Sequence, residues 1–256
     1  MTFEYVSVEE AKARGGLRMV VVSGIPSAWS EAVKGMLHME GVPWVAVRLA
    51  YDSEALVEWA GRRHAPVAIY DDERPRDGWA QIALLVQRLA ARPSLIPSDP
   101  AARALVFGLA HEMCGEQGLG WSRRLQAVHA GLHGAGGFPE RVAKYLGRKY
   151  GYRPQAGEAA GDRVAQLLGM FAAHLRAQRD EGRPYYVGEA PTIMDIYSAA
   201  FIAMFSPLPQ PQCAMDPTTR TVFETLDDQT RAALDPILIE HRDMMYAQHL
   251  ELPLSL

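Results

Sequence analysis

Residues 185–200 read YYVGEAPTIMDIYSAA and contain the signature of a helix N-terminus. The Thr192 hydroxyl can accept a hydrogen bond from the Asp195 amide while the Asp195 carboxylate accepts one from the Thr192 amide, which is a capping box. The residues from Ile193 to Met204 are apolar on nearly every helical face. A helix that is hydrophobic all round is buried in a core. The pattern therefore predicts a central helix, and the role of its capping box is structural.

The rest of the chain divides into two parts of different character. Residues 1–90 alternate short β-branched runs with amphipathic segments, which predicts a small α/β domain, and residues 1–16 form an N-terminal extension of it. Residues 91–101, ARPSLIPSDPA, contain three prolines and no periodicity, as in a linker. Residues 102–256 show helical periodicity without a convincing strand, and the last helical segment covers about residues 228–249. The predicted fold class is an α/β domain followed by an all-α domain.

The composition narrows the classes of function. The 256 residues are 48% hydrophobic and 22% charged, with a formal net charge of −4, which gives no electrostatic reason to expect nucleic acid or an anionic membrane as a partner. The first residues lack the apolar core of a signal peptide, and no apolar run approaches membrane-spanning length. Two cysteines, Cys114 and Cys213, are too few for a disulfide framework. We expect a cytoplasmic protein.

The segment YYVGEAPTIMDIYSAA resembles the capping-box helix in the C-terminal domain of the cytosolic glutathione transferases. With the order of elements, the proline-containing linker and Ala65-Pro66-Val67, the resemblance extends over residues 17–205. It implies a thioredoxin-like first domain, an all-helical second domain and a homodimer. It also implies that Pro66 is the family's cis-proline. The implied function is transfer of the thiolate of glutathione, as co-substrate, to a small and largely apolar electrophile.

The resemblance points to Ser27 as the catalytic hydroxyl. In that family the catalytic hydroxyl or thiol lies between the first strand and the first helix, and SGIPSAWSEAVKGML places Ser27 there. A hydroxyl donor and the positive end of a helix favour a thiolate over a thiol, whose unperturbed pKa is about 8.5. Ser23 and Ser30 are competing hydroxyls. A serine before a helix also has the alternative role of an N-cap.

Two other segments match the glutathione site of the family. The backbone of Ala65, before Pro66, corresponds to the segment that pairs with the cysteinyl part of glutathione. Arg63 and His64 lie where the family often places a cation or amide near the glycyl carboxylate. Solvated loop charges are the alternative interpretation of both residues.

The stretch RDGWAQI departs from the family pattern. The family has an acid or amide followed by serine, which bind the γ-glutamyl end of glutathione at a helix start. Here Asp77 supplies the acid, but Gly78 has no hydroxyl and retains only its amide. A hydrogen bond to a charged group contributes about 1.5–3 kcal/mol, so the loss weakens binding about tenfold to hundredfold. A plain turn with Asp77 as N-cap is the alternative.

This departure supports a second hypothesis, a non-catalytic dimeric binding or interaction protein on the same fold with an impaired glutathione site. A thiol-disulfide reductase would need a cysteine near Ser27, whereas both cysteines lie in the helical part.

The interface of the two domains is the expected place for the electrophile. Large apolar residues predicted near it are candidates for the pocket wall, with core packing as the alternative: Trp29, Met113, Trp121 and Phe205. Two pairs have helical spacing that could bring metal ligands together, His111 with Cys114 and His129 with His133. Metal sites usually need three or four ligands, so we predict no metal.

Overall fold

The computed structural model describes residues 4–92 and 94–256. Within these residues the chain begins with a four-stranded sheet of order β1-β3-β2-β4. The first three strands of that order run parallel, and β4 is antiparallel to β2. The strands are β1 (Tyr5–Val6), β2 (Leu17–Val21), β3 (Trp44–Arg48) and β4 (Val67–Tyr70).

Helices flank the sheet and make up most of the second domain. Those of the α/β domain are α1 (Val8–Ala13), α2 (Ala28–Met39), α3 (Glu54–Ala60) and α4 (Trp79–Leu89). Those of the helical domain are α5 (Pro100–Cys114), α6 (Leu119–Leu132), α7 (Glu140–Lys149), α8 (Pro154–Asp180), α9 (Ile193–Ile202), α10 (Pro217–Glu224), α11 (Asp228–Ala233) and α12 (Pro236–Gln248). The predicted order, an α/β domain followed by an all-α domain, is confirmed.

The capping box of α9 is present as predicted. The Thr192 amide donates to the Asp195 carboxylate at 2.8 Å, and the same carboxylate accepts from the Tyr186 amide at 2.9 Å. Every residue of α9 is buried, and the helix packs against α2, α5 and α12. The cap thus satisfies the orphan amides of a helix end that water does not reach.

The linker is hydrogen-bonded to both domains. The Glu40 carboxylate, at the end of α2, accepts from the Ser94 and Leu95 amides at 2.8 and 2.9 Å. The Leu95 carbonyl oxygen accepts from the amide of Ile193, the first residue of α9, at 2.9 Å. These bonds hold the α/β domain against the central helix.

Two parts of the chain differ from the sequence-based expectation. The N-terminal extension contains β1 and α1, and β1 adds an edge strand beside β3. A two-residue strand is too short to leave a periodic signal. The single helical segment predicted at residues 228–249 is wrong, because Pro236 starts a new helix after α11. Asp235 caps that helix by accepting from the Ile237 amide at 3.0 Å.

Candidate functional site

A cavity of about 720 Å³ lies between the two domains. The α/β domain contributes the β2–α2 loop, the segment before β4 and the start of α4. The helical domain contributes α6, α7 and α10. The residues that line it include Val22, Ser27, Trp29, Tyr51, His64, Ala65, Pro66, Asp77, Gly78, Trp79, Cys114, Glu116, Trp121, Arg124, Phe138, Val142, Tyr145, Leu146, Lys149, Tyr150, Asp216, Thr219 and Phe223.

Ser27 occupies the N-cap position of α2 and lines the cavity. Its side chain makes no capping hydrogen bond, so the alternative role as a helix cap is not used. Ser30 is fully buried, and its hydroxyl oxygen accepts from the Val22 amide at 3.3 Å. Ser23 does not line the cavity. Of the three competing serines, Ser27 is therefore the one that the fold places at the cavity.

The peptide bond between Ala65 and Pro66 is cis, as the resemblance implies. Both residues line the cavity, immediately before β4. Within the described residues, no hydrogen bond uses the Ala65 amide or carbonyl group. These backbone groups are therefore open to pairing with a ligand.

Asp77 lines the cavity and is held by two neighbours. Its carboxylate lies 2.5 Å from the Arg62 Nε and 3.3 Å from the His64 Nε2. Burial alone would raise the pKa of Asp77, but the hydrogen bond and charge of Arg62, with His64, lower it. Arg62 was not predicted. Arg63, which was, does not line the cavity and donates instead to the Tyr51 carbonyl oxygen at 2.8 Å.

His64 faces the cavity from the same segment. Burial and the nearby charge of Lys149 lower the pKa of its imidazole, against the opposing effect of Asp77. We therefore expect a largely neutral imidazole at pH values above its ordinary pKa of about 6.5.

Gly78 is the N-cap of α4, with φ −80° and ψ 134°, a conformation open to any residue. A Cβ built on it would approach the Gln81 side chain no closer than 3.4 Å, which is an ordinary contact. The glycine is therefore not required by the backbone. The helix start lacks a side-chain cap, which leaves its amides available to an anion.

Of the four residues predicted for the pocket wall, the structure places Trp29 and Trp121 there. Met113 and Phe205 do not line the cavity. Met113 is 0% and Phe205 2% exposed, and both belong to the main hydrophobic core. The apolar stripe on α5 that contains Met113 packs into the interior. Phe205 lies beyond the end of α9, with the Arg123 guanidinium 5.3 Å from its ring centroid.

Helix α7 supplies part of the wall that sequence reasoning missed. Its apolar residues Val142, Tyr145 and Leu146 face the cavity, and the first two are each 40% exposed. The spacing of these residues is that of a helical stripe, but spacing does not reveal whether the stripe faces the core or a cavity. Tyr145 contacts Tyr51 edge to face, with ring centroids 5.6 Å apart. Because Tyr51 precedes α3 in the α/β domain, this contact joins the two walls.

The residues considered as metal ligands have other contacts. His129 Nδ1 lies 3.0 Å from the Tyr152 hydroxyl, and His133 Nδ1 lies 2.8 Å from the His129 carbonyl oxygen. Burial raises the pKa of the Cys114 thiol well above its ordinary value. Among residues 4–92 and 94–256, no group of three His, Cys, Asp or Glu residues is placed to hold a metal ion. No helix in these residues is long and apolar enough to cross a bilayer.

Comparison of the structure with solved structures gives matches along nearly the whole chain. A glutathione S-transferase domain-containing protein from Marinobacter aquaeolei aligns over 90% of this chain and 98% of its own, with TM-score 0.63 and 16% identity. A Methylobacillus flagellatus glutathione S-transferase with bound glutathione aligns over 90% and 94%, with TM-score 0.61 and 16% identity. A Methylobacterium radiotolerans glutathione S-transferase in complex with glutathione sulfonate aligns over 91% of both chains, with TM-score 0.59 and 18% identity.

The chain has the glutathione transferase fold. Its sheet and first helices are the thioredoxin-like domain, and the helices from α5 onward are the all-α domain of that fold. Comparison of the sequence with protein-family models and with curated proteins gives no match. At identities of 16–18% the likeness establishes the fold, and the chemistry has to be argued from the cavity.

Proposed function

We propose that this protein is a glutathione transferase that joins the thiolate of glutathione to a small electrophile. The observation that carries the proposal is the position of Ser27. Its hydroxyl is free of capping at the N-terminus of α2 and shares one cavity with Ala65, Pro66 and Asp77. Two structures with the same fold contain glutathione or its sulfonate.

In this proposal the protein supplies binding and electrostatics, and glutathione is the nucleophile. The glutathione thiol loses its proton to water, and the resulting thiolate accepts a hydrogen bond from the Ser27 hydroxyl. The positive end of α2 stabilises the same charge. The sulfur electron pair then forms a bond to the electrophilic carbon, and a leaving group, where there is one, departs with its own electron pair. Each unit by which the thiol pKa falls raises the thiolate fraction about tenfold while the thiol is mostly protonated.

The remaining parts of glutathione match the rest of the wall. The Ala65 amide and carbonyl would pair with the cysteinyl residue, as one strand pairs with another. The ionised Asp77 would accept from the γ-glutamyl ammonium, and the amides at the start of α4 would bind the γ-glutamyl carboxylate. His64 takes the place beside the glycyl carboxylate that was expected of both Arg63 and His64.

A homodimer in the cytoplasm is also part of the proposal. Leu84 on α4 and Leu105 on α5 are 41% and 44% exposed, which gives the outer faces of two adjoining helices apolar surface for a second copy. Sedimentation equilibrium of the purified chain tests this. A species of twice the 28.2 kDa chain mass supports the dimer, and a monomer at micromolar concentration contradicts it.

Two observations favour the alternative, a binding protein with an impaired glutathione site. Asp77 is already engaged by Arg62, and Gly78 offers no hydroxyl. Calorimetric titration with reduced glutathione at neutral pH, up to several millimolar, separates the two functions. Saturable binding, together with turnover of chlorodinitrobenzene, supports the transferase. No binding to a folded protein supports the alternative.

A further inference from the structure

Two cationic side chains line the cavity on the side of the helical domain. Arg124 belongs to α6, and Lys149 is the last residue of α7. Neither forms an ion pair with a carboxylate in the described part of the chain. Burial and then the charge of Arg124 lower the pKa of the Lys149 ammonium, with no acidic group opposing them. The pair is therefore a local excess of positive charge.

Aromatic rings, rather than acids, hold the two cations in place. The Arg124 guanidinium lies 5.5 Å from the ring centroid of Phe138 and 5.6 Å from that of Phe223. The Lys149 ammonium lies 5.7 Å from the ring centroid of Tyr150, and the charge of Arg124 acts on the pKa of the Tyr150 hydroxyl, lowering it against the effect of burial. A guanidinium has five N–H donors, so these contacts leave donors for a ligand.

Three carboxylates also line the cavity, and they do not neutralise this pair. Asp77 is bound by Arg62 and His64. Asp216 caps α10, where it accepts from the Thr219 amide at 3.0 Å and from the Thr219 hydroxyl. Glu116 is exposed in the loop before α6. The positive charge of Arg124 and Lys149 is thus available to an anion inside the cavity.

The surface next to these cations is built from flat rings. Trp121 and Tyr150 meet edge to face with centroids 4.7 Å apart, and Tyr51 and Tyr145 meet in the same way at 5.6 Å. Such a wall suits a planar aromatic ligand, because rings pair favourably in offset and edge-to-face arrangements.

We propose that this wall binds an aromatic carboxylate, with its ring against Trp121 and Tyr150 and its carboxylate accepting hydrogen bonds from Arg124 and Lys149. The role of this ligand as the acceptor of the thiolate rests on the proposed function. Its binding to the wall does not depend on that function. A guanidinium matches the two oxygens of a carboxylate in geometry, and the ammonium adds a point charge. The proposed electrophile is then an aryl compound that carries a negative charge, in place of the largely apolar electrophile predicted from the sequence.

The test is calorimetric titration, without glutathione, with para-nitrobenzoate and with para-nitrobenzamide, which have the same shape and differ in charge. We expect the benzoate to bind about tenfold to hundredfold more tightly than the amide. Arg124→Gln and Lys149→Gln should each reduce that ratio. The control is Arg148→Gln, which removes a cation from an exposed position of α7 outside the cavity lining. Thermal unfolding checks that each variant is folded.

Equal affinity for the two probes, or no binding of either, would overturn the proposal. The proposal would also be overturned if Arg124→Gln and Lys149→Gln behaved like Arg148→Gln. It would be overturned too if they lost affinity for glutathione but not for the benzoate, because the cations would then bind the glycyl carboxylate. If glutathione does not bind and the benzoate does, the proposed transfer fails and this site stands. If glutathione binds and the benzoate does not, the aromatic carboxylate site fails and the proposed transfer stands.

Discussion

The indole nitrogen of Trp29 donates a hydrogen bond to the Cys114 carbonyl oxygen at 2.9 Å. This bond joins α2, which begins just after Ser27, to the end of α5 in the other domain. The Trp29 ring also meets Phe201 of α9 edge to face, with centroids 4.7 Å apart. One side chain in the cavity wall therefore sets the position of α2 against the helical domain.

Trp29→Phe should destabilise the protein. The substitution removes the indole donor and leaves the Cys114 carbonyl without this partner, which typically costs about 1–3 kcal/mol. Urea unfolding measures the change. The control is Trp121→Phe, because no hydrogen bond of the Trp121 indole nitrogen is found in the described residues. A smaller effect for Trp29→Phe than for Trp121→Phe would show that the interdomain bond contributes nothing.

Gly120 allows α6 to approach α9 and Trp29 closely. A Cβ at this position would lie 2.2 Å from Phe201 Cε1 and 3.3 Å from Trp29 Cη2. We expect Gly120→Ala to lower the free energy of unfolding by about 1–3 kcal/mol, as overpacking does. Gly169→Ala on α8 is the matched control, since a Cβ there meets nothing within 4 Å. It should be neutral or stabilising, because alanine favours a helix over glycine.

Gly78→Ser should restore the hydroxyl missing from the start of α4. The backbone of Gly78 accepts a side chain, and a hydrogen bond to the charged γ-glutamyl carboxylate is expected to tighten glutathione binding about tenfold or more. Gly78→Ala adds the Cβ without the hydroxyl and controls for rigidity. Calorimetry measures all three proteins. Equal gains for serine and alanine would mean that the hydroxyl does not reach glutathione.

Glu31 should make stability depend on pH. It is 7% exposed and lies 2.6 Å from the Lys34 ammonium, which also donates to the Ser255 carbonyl oxygen at 2.7 Å. Burial raises the pKa of Glu31 from 4.5 to about 7, although the charge and hydrogen bond of Lys34 oppose the shift. Between these two values the native state holds a proton that the unfolded state has released. Stability therefore falls as the pH rises through this window.

The slope from this one group is at most about 1.4 kcal/mol per pH unit. Urea unfolding across the window should show a flatter profile for Glu31→Gln than for the wild type. Glu112→Gln, which removes the acid of a half-buried pair with Arg163, serves as the control. An unchanged slope in Glu31→Gln would assign the pH dependence to other groups.

The sequence predicted best where one local interaction dictates the structure. The capping box of Thr192 and Asp195 is set by a spacing of three residues, and the apolar run after it leaves no face for solvent. The place of Ser27 was predicted from the resemblance, by aligning SGIPSAWSEAVKGML on the first helix of that family, and the structure has Ser27 at the N-cap of α2.

The predictions that failed concern the direction in which a side chain points, which the periodicity of apolar residues does not encode. The stripe on α7 is apolar like a core stripe, yet Val142 and Tyr145 face a cavity. Met113 shows the opposite case, because it was predicted for the pocket wall and is buried in the core. Arg62 and Arg63 are adjacent, and only the path of the chain beyond Gly61, with φ 70°, decides which one reaches Asp77. Such outcomes follow from tertiary packing and not from residue type.

The central claim is that Ser27 stabilises the thiolate of bound glutathione. Ultraviolet absorbance of the thiolate, followed against pH with glutathione bound to the wild type and to Ser27→Ala, measures the pKa of the bound thiol. We predict a value below the ordinary thiol pKa of about 8.5 in the wild type and a higher value in the variant. The same low pKa in both proteins, with glutathione bound to both, would contradict the account.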